Sequence, residues 1–598
     1  MRQLGVKVLR DVLHSVVGDL AAFGLVEDTP SAALPPNAFS DVLNVRFLDG
    51  AVRKFPGESA ALTFTPAVSD FLYVASWNSP AGLRYVVVHG AGTTATVDVY
   101  NSTRDTVVAT GTMPTSAAAE WQHTEFNGGF HFVLNNGVTT PQFLQDNLAN
   151  LAPLPGWDSY AVETTEIQYK HRGARNTRSV TTLIEDGATI RVTSTPRSAA
   201  EVITTETVTV SVTAGPTYTV VPSGTLTGIG VISGVSGTGF SFRPAAGTGG
   251  TTFTVATISD PVVDVTCGVI RAYGNLLVAG NLVENGNRTM VGTVRTSNVA
   301  APGQIPKDWN PFYLGANTAD EFLLSSTGTI RDMAELQGIL YIYTDSSIHA
   351  IQQTGNGQIP FQVSTVTTHY GASSVDSVAE IDGKHVVVSN DDVYMFSGHP
   401  GSISSIAAGR VRNNFRSNGG YKIQRFNKYD ELWFYKPGTA LMYVYNYRSN
   451  LWTKRSGTAP LSLTIVTGDL ILTDSACAKT VDSGYADPSY VERRRMTVAP
   501  DFETDSLMSV VYVVEGNGTL ATSIVGSNAP GDDRDPTVTG DRQLVTSAFD
   551  ISTEYKQDLR AQGRYLNYRI THTADAVDAD IGFALTNMQF EVDRGGRR

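Results

Sequence analysis

The feature that most constrains this chain is a recurring unit. It consists of a turn carrying Gly or Asn, a short apolar alternation, and a second run that completes a hairpin. Residues 273–280 read YGNLLVAG, 336–344 LQGILYIYT, 381–389 IDGKHVVVS and 426–435 FNKYDELWFY. The last three are evenly placed: Gly338 to Gly383 is 45 residues, and Gly383 to the matching position, Tyr429, is 46 (429 minus 383). A spacing of about 40 to 50 residues is the period of four-stranded propeller blades. One such sheet cannot bury both faces alone, and radial stacking on its neighbours does so. Residues 71–74, 85–88 and 97–100 supply another blade. The chain is therefore expected to be all-β and multi-domain, with a β-propeller of roughly six blades.

Two segments break the rhythm. Residues 182–261 become rich in Thr, Val, Ser and Gly while keeping apolar alternation, which marks a small β domain inserted into a propeller loop. After Ser456 an irregular stretch around 474–500 leads to longer alternating strands. The resulting division is a 1–65 N-terminal attachment or platform segment, first blades over 66–181, the insert over 182–261, remaining blades over 262–470, and a C-terminal β platform domain over 471–598. The opening MRQLGVKVLRDVLHSVVGDL fits a short amphipathic helix or a strand pair and lacks the pattern of a signal peptide. No run of 18 apolar residues occurs, so no membrane-spanning helix is expected.

Composition supports strands over helices. Charged residues are 17%, and the chain carries 24 Tyr, 24 Phe and 56 Gly. The formal net charge is −13, and an acidic protein is a poor general binder of DNA, whose phosphates need Lys and Arg. Two cysteines, Cys267 and Cys477, lie too far apart in sequence for metal-ligand spacing and read as buried small apolar residues.

No nucleophile elbow, zincin, Walker or dinucleotide fingerprint occurs in its proper context. His123 and His131 read as partly exposed strand residues. The adjacent pairs Asp391-Asp392 and Asp532-Asp533 would point to opposite faces of a strand, and both lie where turns are expected, so they read as turn caps and not as glycosidase acids. No cofactor or metal is implied. Two basic clusters stand out: Lys170, His171, Arg172, Arg175 and Arg178, and the run Arg493, Arg494 and Arg495. They read either as a solvated face or partners for nearby acids, or as contacts between subunits or rings, where Arg forks pair with carboxylates.

One short segment is distinctive in its wording. Residues 34–57 read LPPNAFSDVLNVRFLDGAVRKFPG, with an Asp49-Gly50 hairpin turn between two alternating runs. Its Asn44, Arg46, Phe47, Gly50, Lys54, Pro56 and Gly57 closely resemble the opening of the nozzle proteins (tail tubular protein B type) of short-tailed bacteriophages. Trp121, Phe126-Asn127-Gly128, Asn136-Gly137, Pro141 and the LAPLPGW of 151–157 also look like that family. So do Tyr370-Gly371, residues 381–383 and 392–398, and the closing GRYLNYR of 563–569.

The resemblance implies a structural virion protein without catalytic residues. Its relatives form a homohexameric ring at the distal end of a short tail, below the portal-adaptor ring, and carry surfaces for tail fibres or spikes. The ring encloses and gates the channel through which viral DNA leaves, without specific binding, once the host cell surface is met. Six copies would carry −78 (six times −13), and an acidic lining would let the duplex slide. The competing expectations are a propeller-type polysaccharide depolymerase and a receptor-binding tail protein with the insert as recognition surface.

Overall fold

The computed structural model describes residues 12–146, 149–157, 169–170, 178–181, 189–195, 205–213, 217–222, 230–236, 239–244, 252–257, 265–284, 288–309, 319–325, 328–356, 359–417, 419–481, 488–497, 505–529, 534–538, 543–574 and 582–594. It is a β-propeller with an inserted β domain and a C-terminal β domain. Two compact units divide the chain: Met1–Pro114, Arg331–His349 and Thr365–Arg598, and then Thr115–Ile330 with Ala350–Ser364.

Six antiparallel meanders of four strands follow one another along the chain, starting at Phe71–Ser79, Gln122–Phe126, Val265–Tyr273, Ile330–Leu336, Val378–Ile381 and Lys422–Phe426. A seventh sheet has three strands, Ser462–Val466, Asp469–Thr473 and Ala478–Thr480. It borrows a fourth from the N-terminal stretch: Ala61 bridges Lys479, and the Leu62 and Ser59 amides donate to the carbonyls of Ala478 (2.7 Å) and Thr480 (2.8 Å). Among the described residues seven blade-like sheets thus stand where roughly six were expected, the last completed by a segment far upstream in sequence that periodicity cannot reveal. The expected domain boundary at 470 falls inside the strand Asp469–Thr473, since the last sheet continues to Thr480.

The period has a local cause. The turn joining the first two strands is built by consecutive left-handed residues: Asn127 and Gly128 (φ 56° and 67°), Gln337 and Gly338 (54° and 80°), Asp382 and Gly383 (46° and 71°), Thr467 and Gly468 (52° and 91°). Positive φ at both central residues matches the right-handed strand twist, and Gly adopts it at no steric cost. In the sixth sheet the corresponding residue is Asp430 (φ 55°), one position beyond Tyr429, because a 3-10 turn over Asn427–Tyr429 precedes it.

In the first unit, neighbouring sheets are tied face to face. Asp332 accepts the amides of Ser377 (3.1 Å) and Val378 (3.3 Å), and His385 bonds both the Tyr343 hydroxyl (2.7 Å) and the Glu335 carbonyl (3.0 Å). In the second unit, Trp157 packs edge-on to Trp309 (4.6 Å) and donates its Nε1–H to the Val265 carbonyl (2.8 Å). The insert has two sheets, one of five strands from Tyr169–Lys170 to Thr252–Thr257 and one of three. It therefore starts before 182.

The C-terminal domain is a two-sheet sandwich and takes up most of the N-terminal segment. One sheet runs Lys556–Gly563, Asp505–Gly516, Phe583–Arg594, Ala51–Lys54 and Val45–Leu48, with Val12–Val17 also paired to Phe583–Arg594. The other runs Asp41–Leu43, Ser489–Met496, Tyr565–Thr573, Thr519–Ser527 and Leu544–Asp550. Between them Phe47, Val52, Val491, Tyr512, Ile524, Tyr568, Leu585 and Phe590 form one buried core. Residues 1–65 and 471–598, read separately from sequence, thus share sheets. The stretch 474–500, read as an irregular linker, contains the strand Ser489–Met496, whose charged run VERRR hides the burial of Val491, Glu492 and Arg493.

Candidate functional site

The residues singled out in 34–57 meet at one joint, where the N-terminal hairpin lies between the sandwich and the sixth blade. The turn Asp49-Gly50 has φ of 53° and 76°, and sets Arg46 opposite Arg53 and Phe47 opposite Val52. Phe47 stacks on Phe39 at 5.8 Å. Asn44, itself left-handed (φ 55°) and buried, fastens three segments. Its Nδ2–H donates to the Pro488 carbonyl (2.8 Å), its Oδ1 accepts the Ser456 amide (2.8 Å), and its backbone exchanges bonds with Lys454 and Phe55 (both 2.9 Å). Lys54 and Gly57 are buried and Pro56 is half-buried.

Arg46 is the centre of the joint. Its guanidinium meets the Glu431 carboxylate at 3.3 and 3.4 Å and lies between the rings of Tyr429 (3.8 Å) and Phe55 (4.7 Å). Glu431 also accepts the Trp433 indole N–H (3.0 Å). Burial pushes the Glu431 carboxyl above its usual range even against Arg46 and that hydrogen bond. Next to it, buried Arg455 faces Glu58 at 3.5 Å. Burial alone would raise Glu58, but bonds from Thr458 and the charges of Arg455 and Lys479 bring it below the ordinary value.

A cleft of about 570 Å³ opens beside the joint, lined in part by Glu27, Asp41, Lys454, Glu492, Arg494 and Arg495. Lys454 Nζ is shared by Glu27 (2.7 Å) and Asp41. Burial raises the Glu27 carboxyl against the pull of Lys454, while burial of Lys454 is outweighed by its two acids, so its ammonium is held charged. Glu492 is fully buried and takes Arg494 on one side and its cross-strand partner Arg569 on the other, the latter stacked on Tyr490 at 4.0 Å. The carboxylates of Glu27, Asp41 and Glu492 are thus each answered by a cation within the chain, a chemistry of fastening.

The run Arg493, Arg494 and Arg495 lands at this cleft and builds a β-bulge against Tyr565–Thr573. Arg493 is buried and donates to the carbonyls of Ser31 and Leu34. Arg494 pairs with Glu492 and with Asp535 (3.3 Å). Arg495 sits at φ 52°, its amide donating to Asn567 Oδ1. The partner-for-acids reading describes Arg494, and backbone carbonyls occupy Arg493. In the other cluster, Lys170 lies opposite Thr252 in the five-stranded sheet and Arg178 opposite Phe242 in the three-stranded one, so they belong to different sheets. Arg172, Arg175 and His171 lie outside the described residues, as do Asp532 and Asp533.

Asp391 and Asp392 cap a turn: Asp392 Oδ1 accepts the Val393 amide and the Ser405 hydroxyl (both 2.8 Å), and Arg412 faces both acids. His131 is buried, not partly exposed as expected, and burial lowers its pKa; His123 stacks on Phe132 at 4.8 Å. Cys267 is buried as expected, while Cys477 is half-buried. Among the described residues no group of three His, Cys, Asp or Glu could hold a metal ion, and no helix is long and apolar enough to cross a membrane.

The sequence did not mark Glu431, Lys454 or Glu27. The available signal was Glu431 itself, a single acid heading the apolar run ELWFY.

No family model and no curated protein matches the sequence. Among solved structures, BamB from Moraxella catarrhalis is similar at 8% identity and a TM-score of 0.32, covering 72% of this chain and 97% of that one. The WD40 domain of Toxoplasma gondii coronin is similar at 10% identity and 0.35, covering 74% and 87%. Sqt1 of Saccharomyces cerevisiae is similar at 10% and 0.33, covering 71% and 99%. These are distant likenesses.

Proposed function

We propose that this chain is a nozzle-type structural subunit of a short phage tail. Six copies form a ring at the distal end of the tail, enclose the channel for genome exit, and offer surfaces to an adaptor ring above and to fibres or spikes outside. The observation that supports this reading is the place of the segment whose wording resembles that family. Residues 34–57 are not a loose arm; they are the joint in which Asn44 and Arg46 lock the sandwich to a blade. A part that must hold its shape while a duplex passes is served by buried, paired charges of this kind, since breaking one leaves an unpaired charge in low dielectric. A formal −78 over six copies (six times −13) keeps phosphates from adhering to any part that lines the channel.

Electron microscopy of the purified protein, alone and with tail particles, tests the reading. A six-fold ring with a central hole is expected. A solitary particle without a hole would sink it, and release of sugar from capsular polysaccharide would put the depolymerase in its place.

A further inference from the structure

Three side chains from distant parts of the sequence converge at the wall of the cleft. Lys454 Nζ lies against the Asp41 carboxylate and 2.7 Å from Glu27 Oε1. The side chains of Lys454, Asp41 and Glu27 are mostly buried, with exposures of 11, 26 and 21%. Each is held from behind. Lys454 belongs to the blade strand Leu451–Ser456 and pairs with Tyr443, and Asp41 belongs to the sandwich strand Asp41–Leu43 and pairs with Glu492. The Asn44 amide donates to the Lys454 carbonyl (2.9 Å) and ties the two strands beside the contact. Glu27 is fixed by its amide, which donates to the Arg410 carbonyl (2.7 Å), and by Oε2, which accepts the Asn414 side-chain amide (2.6 Å).

The far oxygen of Asp41 is engaged as well: Oδ2 accepts the Tyr490 hydroxyl (2.9 Å). Burial, then the charge of Asp41, push the Tyr490 pKa up, so this hydroxyl keeps its proton and remains a donor. Lys479 also faces two acids, Glu58 and Asp474, but at 3.5 and 3.9 Å. Around Asp41 the structure thus sets an amine, a carboxyl carbon, a second acid on the amine and a hydroxyl on the oxygen away from it.

We infer that Lys454 and Asp41 condense after folding into an intramolecular isopeptide bond, with Glu27 relaying the protons and Tyr490 holding the oxygen that stays. The resting contact is an ion pair. The Lys454 ammonium passes a proton to Glu27, whose burial strengthens its hold on protons. Glu27 relays that proton to Oδ1, which turns Asp41 into a carboxyl open to attack at Cγ. The freed amine attacks, and the charge that gathers on Oδ2 is met by the Tyr490 hydroxyl. The nitrogen then gives a second proton through Glu27 to Oδ1, the Cγ–Oδ1 bond breaks, and Oδ1 leaves as water. Of the three ammonium protons one stays on the amide nitrogen and two leave with the oxygen; Glu27 ends as it began and no co-reactant is consumed. Two strands that hold amine and carboxyl together supply the effective concentration that the condensation needs. The bond closes a loop of 413 residues (454 minus 41) and bolts a sandwich strand to a blade strand. It stands independently of the ring reading.

Mass spectrometry of the full chain tests it. The intact mass is expected to be lower by one water than the sequence requires. Trypsin is expected to release a branched peptide, residues 11–46 joined to 449–455, uncut after Lys454 and with its branch at Asp41. Lys454→Arg keeps the cation and has no attacking amine; it is expected at full mass, and to migrate apart from the looped native chain on a denaturing gel. Glu27→Gln keeps the shape and relays no proton; with circular dichroism like that of the native chain, most of it is expected unlinked. A native chain at full mass, with 11–46 and 449–454 recovered as separate peptides, overturns the inference. A branch at Glu27 in place of Asp41 overturns it too, and complete linkage in Glu27→Gln overturns the proton relay.

Discussion

Arg46 and Glu431 are 385 residues apart in sequence and meet as a buried ion pair at 3.3 Å, clasped between the rings of Tyr429 and Phe55. Such a pair gains little over a well-packed apolar couple, but losing one partner strands the other. Arg46→Met is therefore expected to cost about 3–5 kcal/mol by removing the guanidinium paired with buried Glu431, and Arg46→Met with Glu431→Met to recover much of it. Urea unfolding of the two proteins decides this; equal losses in both would remove the stranded-charge account.

Asn44 combines a left-handed backbone with two side-chain bonds to separate segments. Asn44→Gly keeps the conformation and loses the bonds, whereas Asn44→Ala also bears the left-handed strain. The alanine variant is expected to be less stable than the glycine variant by about 1 kcal/mol. Thermal melts of both check the order.

Arg493 reaches two carbonyls, those of Ser31 and Leu34, with one planar fork. A lysine has a single point of charge and cannot span both in the same way. Arg493→Lys is expected to loosen residues 24–36 without unfolding the sandwich. Hydrogen exchange should rise at the amides of that segment, and an unchanged exchange map would contradict the assignment.

His385 titrates against the fold. Burial lowers its pKa from the usual 6.5 to about 4, partly opposed by its bond to the Glu335 carbonyl. The unfolded chain takes up this proton below about pH 6.5 while the folded chain does not, so the stability tied to the neutral ring is complete above that pH. It is lost progressively as pH falls towards 4, by roughly 3 kcal/mol at most. Replacement by Gln should flatten that part of the stability-against-pH curve; an unchanged slope would show that other groups set it.

Local chemistry was the legible part of the sequence. Gly338, Gly383 and the Asp49-Gly50 pair announce turns because left-handed residues are needed there, and the spacing of Gly338 and Gly383 gave the propeller period. The blade count was not legible, because the seventh sheet takes its outer strand from residues 59–62. The strand Ser489–Met496 was missed because Glu492 and Arg493 are charged yet buried, satisfied by Arg569, Ser31 and Leu34 from elsewhere. Likewise Lys454 and Glu27 stand 427 residues apart, and no local pattern pairs them.

The pairing of Val12–Val17 with Phe583–Arg594 has a consequence for synthesis. This early strand waits until residues 583–594 have left the ribosome before its template exists. Prematurely terminated products would lack it and expose the apolar faces of Ala51–Lys54 and Val45–Leu48, which the late strand Phe583–Arg594 otherwise helps to cover.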